Sequence, residues 1–294
     1  PRVEMMLTPP KLKGLAIKLL PWAITFVALY IAFNGVSWQT LLAHASEARW
    51  NWVVLAVFCT ALSYLFRARR WQDLFPEHTL SYAYASNTLI LGVFMNNILP
   101  ARAGELVRAH MGAKVSGQTR TLVLATIASE RLIDGLTISI MFLAFALGLG
   151  DKATSENLFY VALGFAIITA GVLLTLRFRE RLFNFAEKVS GRIEHQVSEY
   201  TLNRFQIFIN GLAPLASIRR FPLIAAWSVI IWGVELLVYI SVVQAFSAEL
   251  GLAHCVLFLV AVNFSSLIPS APGAIGVIEA IASAVLVSIG IEKE

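Results

Sequence analysis

The sequence predicts an all-α polytopic membrane protein with about six spans plus broken or re-entrant helices, arranged as an inverted repeat. Three observations carry this. The 294 residues are 58% hydrophobic and 14% charged, with a mean hydropathy of +0.73; a soluble domain has roughly 45–50% apolar and about 25% charged residues. Several apolar runs approach or pass the ~20 residues that cross a bilayer as a helix, and a barrel would show alternating polarity instead. Two of the runs are interrupted by similar proline and glycine motifs.

Gly14–Asn34 is the first span, with Arg2, Lys11, Lys13 and Lys18 before or at its start. It is too long for a cleavable leader and lacks a small-residue cleavage motif. Asn51–Phe66 is the second, followed at once by Arg67, Arg69 and Arg70. Basic residues mark cytoplasmic ends, so the N-terminus and Arg67–His78 are expected inside. Trp50, Trp52 and Trp71 suit the interfacial belt. Thr121–Gly150 and Leu158–Leu176 follow, joined by a short loop expected outside. Arg177–Arg220 is basic, polar and expected in the cytoplasm. Within it Phe178, Leu182, Phe185, Val189, Ile193 and Val197 recur every three or four residues, the stripe of an amphipathic helix lying on the membrane surface. Phe221–Phe246 crosses again, and Ala253–Pro269 and Ala274–Ile291 form a last pair. Residues 1–294 read as one transmembrane domain, with 177–220 a cytoplasmic segment inside it. Cys59 and Cys255 sit in apolar runs and read as small buried hydrophobes.

Ser81–Leu99 does not fit a simple span. Basic segments flank it on both sides, and one crossing cannot leave both ends in the cytoplasm. The simplest arrangement enters the membrane, turns at Pro100 and returns along Ala101–Ala113. Proline lacks an N–H, and Gly104 permits close backbone approach. "NNILPARAGE" has a counterpart in "SSLIPSAPGA": Pro100 and Gly104 correspond to Pro269 and Gly273, with Asn97 before the first and Asn263 before the second. Paired interrupted segments point to a transporter built from two repeats with its site between them. The hinges of these breaks are Pro100, Gly104, Pro269, Pro272, Gly273 and Gly276.

Ionisable residues gather around the breaks. Arg102, Glu105 and Arg108 are three apart on one broad helical face, and a helix start near Pro100 offers orphan N–H groups to an anion. This arrangement suits a phosphate, with Glu105 holding the arginines or reading an amine. Topogenic charge is the competing reading, stronger for Arg108 than for Arg102. Glu130 and Asp134 share a helical face, and Arg131 reaches Asp134 at i,i+3. They form either a structural ion-pair cluster or part of a ligand site. Glu235 lies in "IWGVELLVYI", near the middle of an apolar span. A charge there costs ~2.5–3.5 kcal/mol on the insertion scale. It therefore requires an interior partner, with Arg102 and Arg131 the candidates. Glu279 follows the second break.

Three motifs in order, "NNILPARAGELVRA", "ASERLIDG" and "NFSSLIPSAPGAIGVIEA", resemble the membrane region of the lysylphosphatidylglycerol synthase and flippase-like family. The marks are Pro100-x-Arg102-x-Gly104-Glu105, Glu130-Arg131, and Pro269-x-x-Pro272-Gly273-x-x-Gly276-x-x-Glu279. The likeness extends from about Trp52 to Ile291. It implies a domain of a bacterial-type cytoplasmic membrane that binds lipids and moves them between leaflets. Some members carry a fused soluble aminoacyl-transferase domain, for which this sequence has no counterpart. Others are linked to polyprenyl-lipid, glycolipid or hopanoid pathways.

The expected function is therefore a lipid flippase that binds an anionic phospholipid or polyprenyl-phosphate-type head group. Its candidate head-group residues are Asn97, Arg102, Glu105, Arg108, Glu130, Arg131, Asp134, Glu235, Asn263 and Glu279. The alternatives are an integral-membrane lipid-modifying enzyme and an accessory subunit of a lipid synthase. Ile133–Gly135 faintly resembles part of the CDP-alcohol phosphotransferase motif, but the other aspartates of that motif are missing. No catalytic motif, paired metal ligands or Walker sequence is found, so neither a cofactor nor a metal is expected. The expected partners are membrane lipids and a lipid-synthesising enzyme. Nucleic acid is set aside although the net charge is +5, because the basic residues cluster at span ends.

Overall fold

The computed structural model describes residues 22–76, 79–99, 103–149, 195–248, 250–265 and 272–288, with isolated positions between 160 and 184. Helix is the regular structure throughout these residues, and they contain no strand. The helices are α1 (Trp22–Phe33), α2 (Trp38–Ser46), α3 (Trp50–Leu74), α4 (Tyr82–Ile98), α5 (Gly104–Ser116), α6 (Arg120–Leu149), α7 (His195–Ala216), α8 (Phe221–Ala245), α9 (Leu252–Ser265) and α10 (Val277–Ser288). A 3-10 turn, Pro272–Ala274, precedes α10. Pro100, Arg102, Pro269, the stripe residues Leu182 to Ile193 and most of the Leu158–Leu176 span lie outside the described residues.

Local chemistry sets several helix ends. Ser81 caps α4 by accepting from the Tyr84 N–H, and Gly117 ends α5 in the left-handed region at φ 69°. Pro222 lies in the first turn of α8, where its missing N–H costs no helical bond. At α10 the Glu279 carboxylate accepts from the Gly276 N–H at 2.7 Å, the returning half of a capping box.

α3 and α8 form an antiparallel pair over their whole length. The Arg49 N–H donates to the Ala245 carbonyl at one end, and Arg220 donates to the Phe75 carbonyl at the other. Each has 25 residues, or about 37 Å at 1.5 Å per residue, enough for a ~30 Å hydrocarbon core. α6 packs against this pair and also against α5, α7 and α9. Apolar side chains cover the outer faces, among them Val54, Val57 and Phe58 on α3 and Leu223, Val229 and Leu237 on α8. Inside, among the described residues, four charged side chains are buried: Arg70, Arg108, Glu130 and Asp134. This distribution suits a solvent of lipid tails.

The paired breaks come together. α4 and α5 form the expected helical hairpin, and α4 packs on the 3-10 turn of the second break. A Cβ placed on Gly273 would lie 3.4 Å from Asn97 Oδ1. α1 closes over the same turn, with the Thr25 hydroxyl donating to the Ile275 carbonyl at 3.2 Å.

Two expectations are corrected. α3 continues eight residues beyond Phe66 to Leu74, so Arg67, Arg69 and Arg70 lie within a helix rather than after one. Trp71 is fully buried, not interfacial; its ring sits in the core and its Nε1 donates to Thr126 Oγ at 3.1 Å. Within 177–220, α7 packs on α6 through a cluster of Ala125, Phe208, Ile209 and Leu212; the stripe from Leu182 to Ile193 lies outside the described residues.

Gly104 is where the hairpin closes. A Cβ there would strike the Gly92 carbonyl oxygen and come within 2.6 Å of the Asn96 backbone nitrogen. Both neighbours are backbone and cannot swing aside. Gly104→Ala should cost about 1–3 kcal/mol through overpacking. Gly233→Ala, with nothing within 4 Å of the added carbon, should not destabilise. Thermal unfolding of the detergent-purified variants measures the difference.

Candidate functional site: a buried ladder of alternating charge

The inner face of α6 reads Val123, Ile127, Glu130, Asp134, Ile138 and Phe142, a helical stripe with two acids at its centre. On α3 the spacing of Ser63, Arg67 and Arg70 brings a hydroxyl and two guanidiniums to the matching face, while Arg69 points outward and pairs with Asp73. α8 contributes Ser228, Trp232 and Glu235, and α5 contributes Arg108.

These groups join into one ladder. Arg108 Nη2 lies 2.6 Å from Glu130 Oε2. The approach is close enough for an ion pair but is not aligned as a hydrogen bond. Glu130 Oε1 stands 3.8 Å from Arg70 Nη2. Arg70 grips Asp134 with two parallel bonds, Nη1 to Oδ1 at 2.6 Å and Nη2 to Oδ2 at 3.1 Å. Its Nη1 also donates to Ser228 Oγ at 2.8 Å. Trp232 Nε1 donates to Asp134 Oδ1 at 3.0 Å. Arg67 bridges onward, to Asp134 Oδ2 at 3.4 Å and to Glu235 Oε1 at 3.1 Å. Ser63 Oγ donates to the same Glu235 oxygen at 2.7 Å. Two rings complete the cage: Trp71 faces the Arg108 guanidinium at 3.9 Å and Trp232 faces that of Arg67 at 5.0 Å.

Burial is graded along the ladder. The Arg70 side chain is 1% exposed, whereas those of Arg67 and Glu235 are 17% and 22% exposed. Apolar clusters lie on both sides, one around Trp71, Ile127 and Ile224 and the other around Ile138, Phe142 and Leu259. Among the described residues, the buried Nε groups of Arg70 and Arg108 have no hydrogen-bond partner. They are donors left over after the carboxylates are paired.

The structure brings together Arg108, Glu130, Asp134 and Glu235 of the sequence-derived candidates. Glu235 does have an arginine partner among the described residues, Arg67 rather than Arg131; Arg102 lies outside the described residues. Arg131 turns from Asp134 and pairs with Glu105 at 2.7 Å on the more exposed rim. Glu105 thus holds Arg131 and not Arg108. Asn97 is exposed beside the second break. Asn263 sits near Glu235's helix, donating to the Leu259 carbonyl at 2.8 Å and to Tyr239 Oη at 3.5 Å. Glu279 is occupied in capping α10. Sequence reasoning passed over Arg67, Arg70 and Ser63. Their i, i+4, i+7 spacing was the available signal, because it sets them apart from Arg69.

Outward apolar faces around an interior charged ladder define an integral membrane protein with a polar centre. The chain belongs to the family described as the lysylphosphatidylglycerol synthase TM region, whose model matches residues 18–294. It is 24% identical to a UPF0104 membrane protein of Pyrococcus horikoshii, covering 92% of this chain and 86% of that one. It is 26% identical to glycosyltransferase AglD of Haloferax volcanii, covering 87% of this chain but only 46% of AglD. A UPF0104 membrane protein of Methanocaldococcus jannaschii is 24% identical, over 64% of this chain and 76% of the relative. No solved structure matches.

Asp134→Asn should be strongly destabilising, by about 3–5 kcal/mol, because it leaves two buried guanidiniums without their shared carboxylate. Glu105→Gln breaks a half-exposed pair and should cost about 0–1 kcal/mol. Thermal unfolding in detergent would rank the two, and equal shifts would contradict the assignment of Asp134 to the ladder's centre.

Proposed function

We propose that this chain binds a lipid with a phosphate-bearing head group, an anionic phospholipid or a polyprenyl-phosphate-type lipid, and carries it between leaflets. The head group would pass along the charged ladder while the acyl or prenyl chains remain among the apolar outer faces. The observation that carries the reading is the pair of buried Nε groups on Arg70 and Arg108 that have no partner among the described residues. Buried guanidinium donors call for an acceptor, and a phosphate offers several oxygens in a geometry that arginine fits bidentately. The meeting of the two interrupted segments beside the ladder supports it, since transporter sites form where such repeats face each other. The proposed setting is a cytoplasmic-type membrane with the N-terminus inside.

A second reading has one specific support. AglD carries the name glycosyltransferase, and the match covers less than half of it. On this reading the domain acts beside a lipid-modifying enzyme, presenting or removing its lipid.

Purified protein in liposomes should accelerate movement of fluorescent phosphatidylglycerol across the bilayer relative to empty vesicles. Arg67→Lys and Arg102→Lys keep the charge but lose the forked geometry. Each should slow movement roughly tenfold, the scale of one charge-assisted hydrogen bond. Wild-type rates no higher than those of empty vesicles would remove the transport reading and leave the accessory one.

If α4 and α5 form a re-entrant hairpin, both of its ends lie on one side of the membrane. Cysteines placed at the exposed positions Pro76 and Thr119 should then react with an impermeant maleimide from the same side. Labelling from opposite sides would overturn that topology.

A further inference from the structure

We infer that Glu235 is the proton-carrying group of the ladder: each anionic head group that takes its place on Arg67 is accompanied by one proton bound at Glu235. This rests on the lipid-moving reading above and adds an energy source to it.

The ladder is balanced in charge. Arg67, Arg70 and Arg108 face Glu130, Asp134 and Glu235, three cations against three anions. A phosphodiester brings one more negative charge into a buried site, and an uncompensated buried charge is strongly disfavoured. Neutralising one of the acids as the phosphate arrives keeps the described ladder in balance.

Hydrogen-bond chemistry selects which. Asp134 is held by Arg70, Arg67 and the Trp232 indole, all donors with no acceptor capacity. A proton on Asp134 would face only N–H groups. Glu130 lies between two arginines and is at least as buried as Asp134. Glu235 differs on both counts. It is the most exposed of the three, and one of its partners is the Ser63 hydroxyl. A hydroxyl can donate to a carboxylate or, by rotating, accept from a carboxylic acid. Ser63 can thus serve Glu235 in both protonation states.

Among the described residues, the charged and titratable groups around Glu235 are Tyr64, Arg67 and Arg70 from α3, Glu130 and Asp134 from α6, and Tyr239 from its own helix; α9 adds the neutral Asn263. α7 meets α8 at the far end, through the apolar cluster of Leu215 and Ile224. Of these neighbours, Arg67 alone binds Glu235 through a charged group.

The step balances as follows. A proton from water on the entry side binds the Glu235 carboxylate. Arg67 Nη2 exchanges Glu235 Oε1 for a phosphate oxygen, while its Nη1 stays on Asp134. On release the phosphate leaves, Glu235 returns its proton to water on the exit side, and the Arg67–Glu235 pair re-forms. One lipid anion and one proton travel together, with no net charge moved.

The test uses the full chain in phosphatidylcholine liposomes containing fluorescent phosphatidylglycerol and a trapped pH-sensitive dye. With the outside one pH unit more acidic, inward movement of phosphatidylglycerol should rise by up to about tenfold, the ratio of proton activities, and the lumen should acidify in step. Fluorescent phosphatidylcholine should show neither effect. Glu235→Gln should abolish both the gradient dependence and the acidification. Ser63→Ala keeps every charge and should shift the midpoint of the pH dependence, which a purely structural hydroxyl would leave in place. External inorganic phosphate should produce no acidification; if it does, the site takes free phosphate and lipid coupling is overturned. Movement of phosphatidylglycerol that ignores the gradient, with a constant luminal pH, overturns the proton role and leaves lipid transport standing. No movement above empty vesicles under any gradient removes both.

Discussion

Arg70 and Asp134 are the pair on which the arrangement turns. A guanidinium with a 1% exposed side chain cannot be held among apolar helices unless an anion meets it with correct geometry. Asp134 meets it with both oxygens. The pair also fixes three helices at once, because Ser228 of α8 accepts from Arg70 and Trp232 of α8 donates to Asp134. Moving α3, α6 or α8 by one helical turn would separate partners that have no alternative nearby. Polar bonds can thus specify helix register where apolar packing alone, in a solvent as apolar as the core, discriminates weakly.

The remaining helices fit around that centre by means of small residues. Gly92 leaves room for the Arg108 stem, and Gly112 lets Trp71 and Val123 approach α5. Gly104 allows the start of α5 to press against the α4 backbone. Without these three positions the hairpin would stand too far from α3 and α6 for Arg108 to reach Glu130. Close packing by glycine and long reach by arginine are therefore two halves of one design. The second break uses glycine differently. Gly273 and Gly276 adopt φ 73° and 86°, and Ala274 shares this region at φ 55°, an uncommon conformation for a residue with a side chain.

Much of the architecture was legible because it followed from physical conflict in the sequence. A proline and a glycine between apolar runs with basic flanks were most simply reconciled by a turn, and α4 and α5 on either side of it pack as a hairpin. Glu235 in an apolar span demanded an arginine, and it has one. The arginine's identity was hidden because Arg67 and Arg70, at the end of a hydrophobic run, look the same whether they anchor a helix end or line a core. Composition in a window cannot separate these cases; helical phase can, because Arg69 alone falls on the opposite face. The Arg131 error has a related cause. Proximity along one helix suggested Asp134, but Arg70 and Arg67 from α3 already saturate that carboxylate, and Arg131 faces Glu105 of α5. Trp71 was misread for want of tertiary information, since belt and core tryptophans share the same neighbours in sequence.

The gradation of the ladder bears on how such a site can work. A network bonded equally well throughout would hold its groups in place and exchange nothing. Here the Arg70–Asp134 centre is bidentate and buried, while the Arg67–Glu235 link and the separate Arg131–Glu105 pair are more exposed. In the proposed reading the centre keeps the helices in register while the weaker rungs change partners. Arg67 is suited to that exchange because its two terminal nitrogens bind different carboxylates. It can release Glu235 and remain anchored to Asp134, so a phosphate can be taken up without unmaking the contact on which the bundle depends.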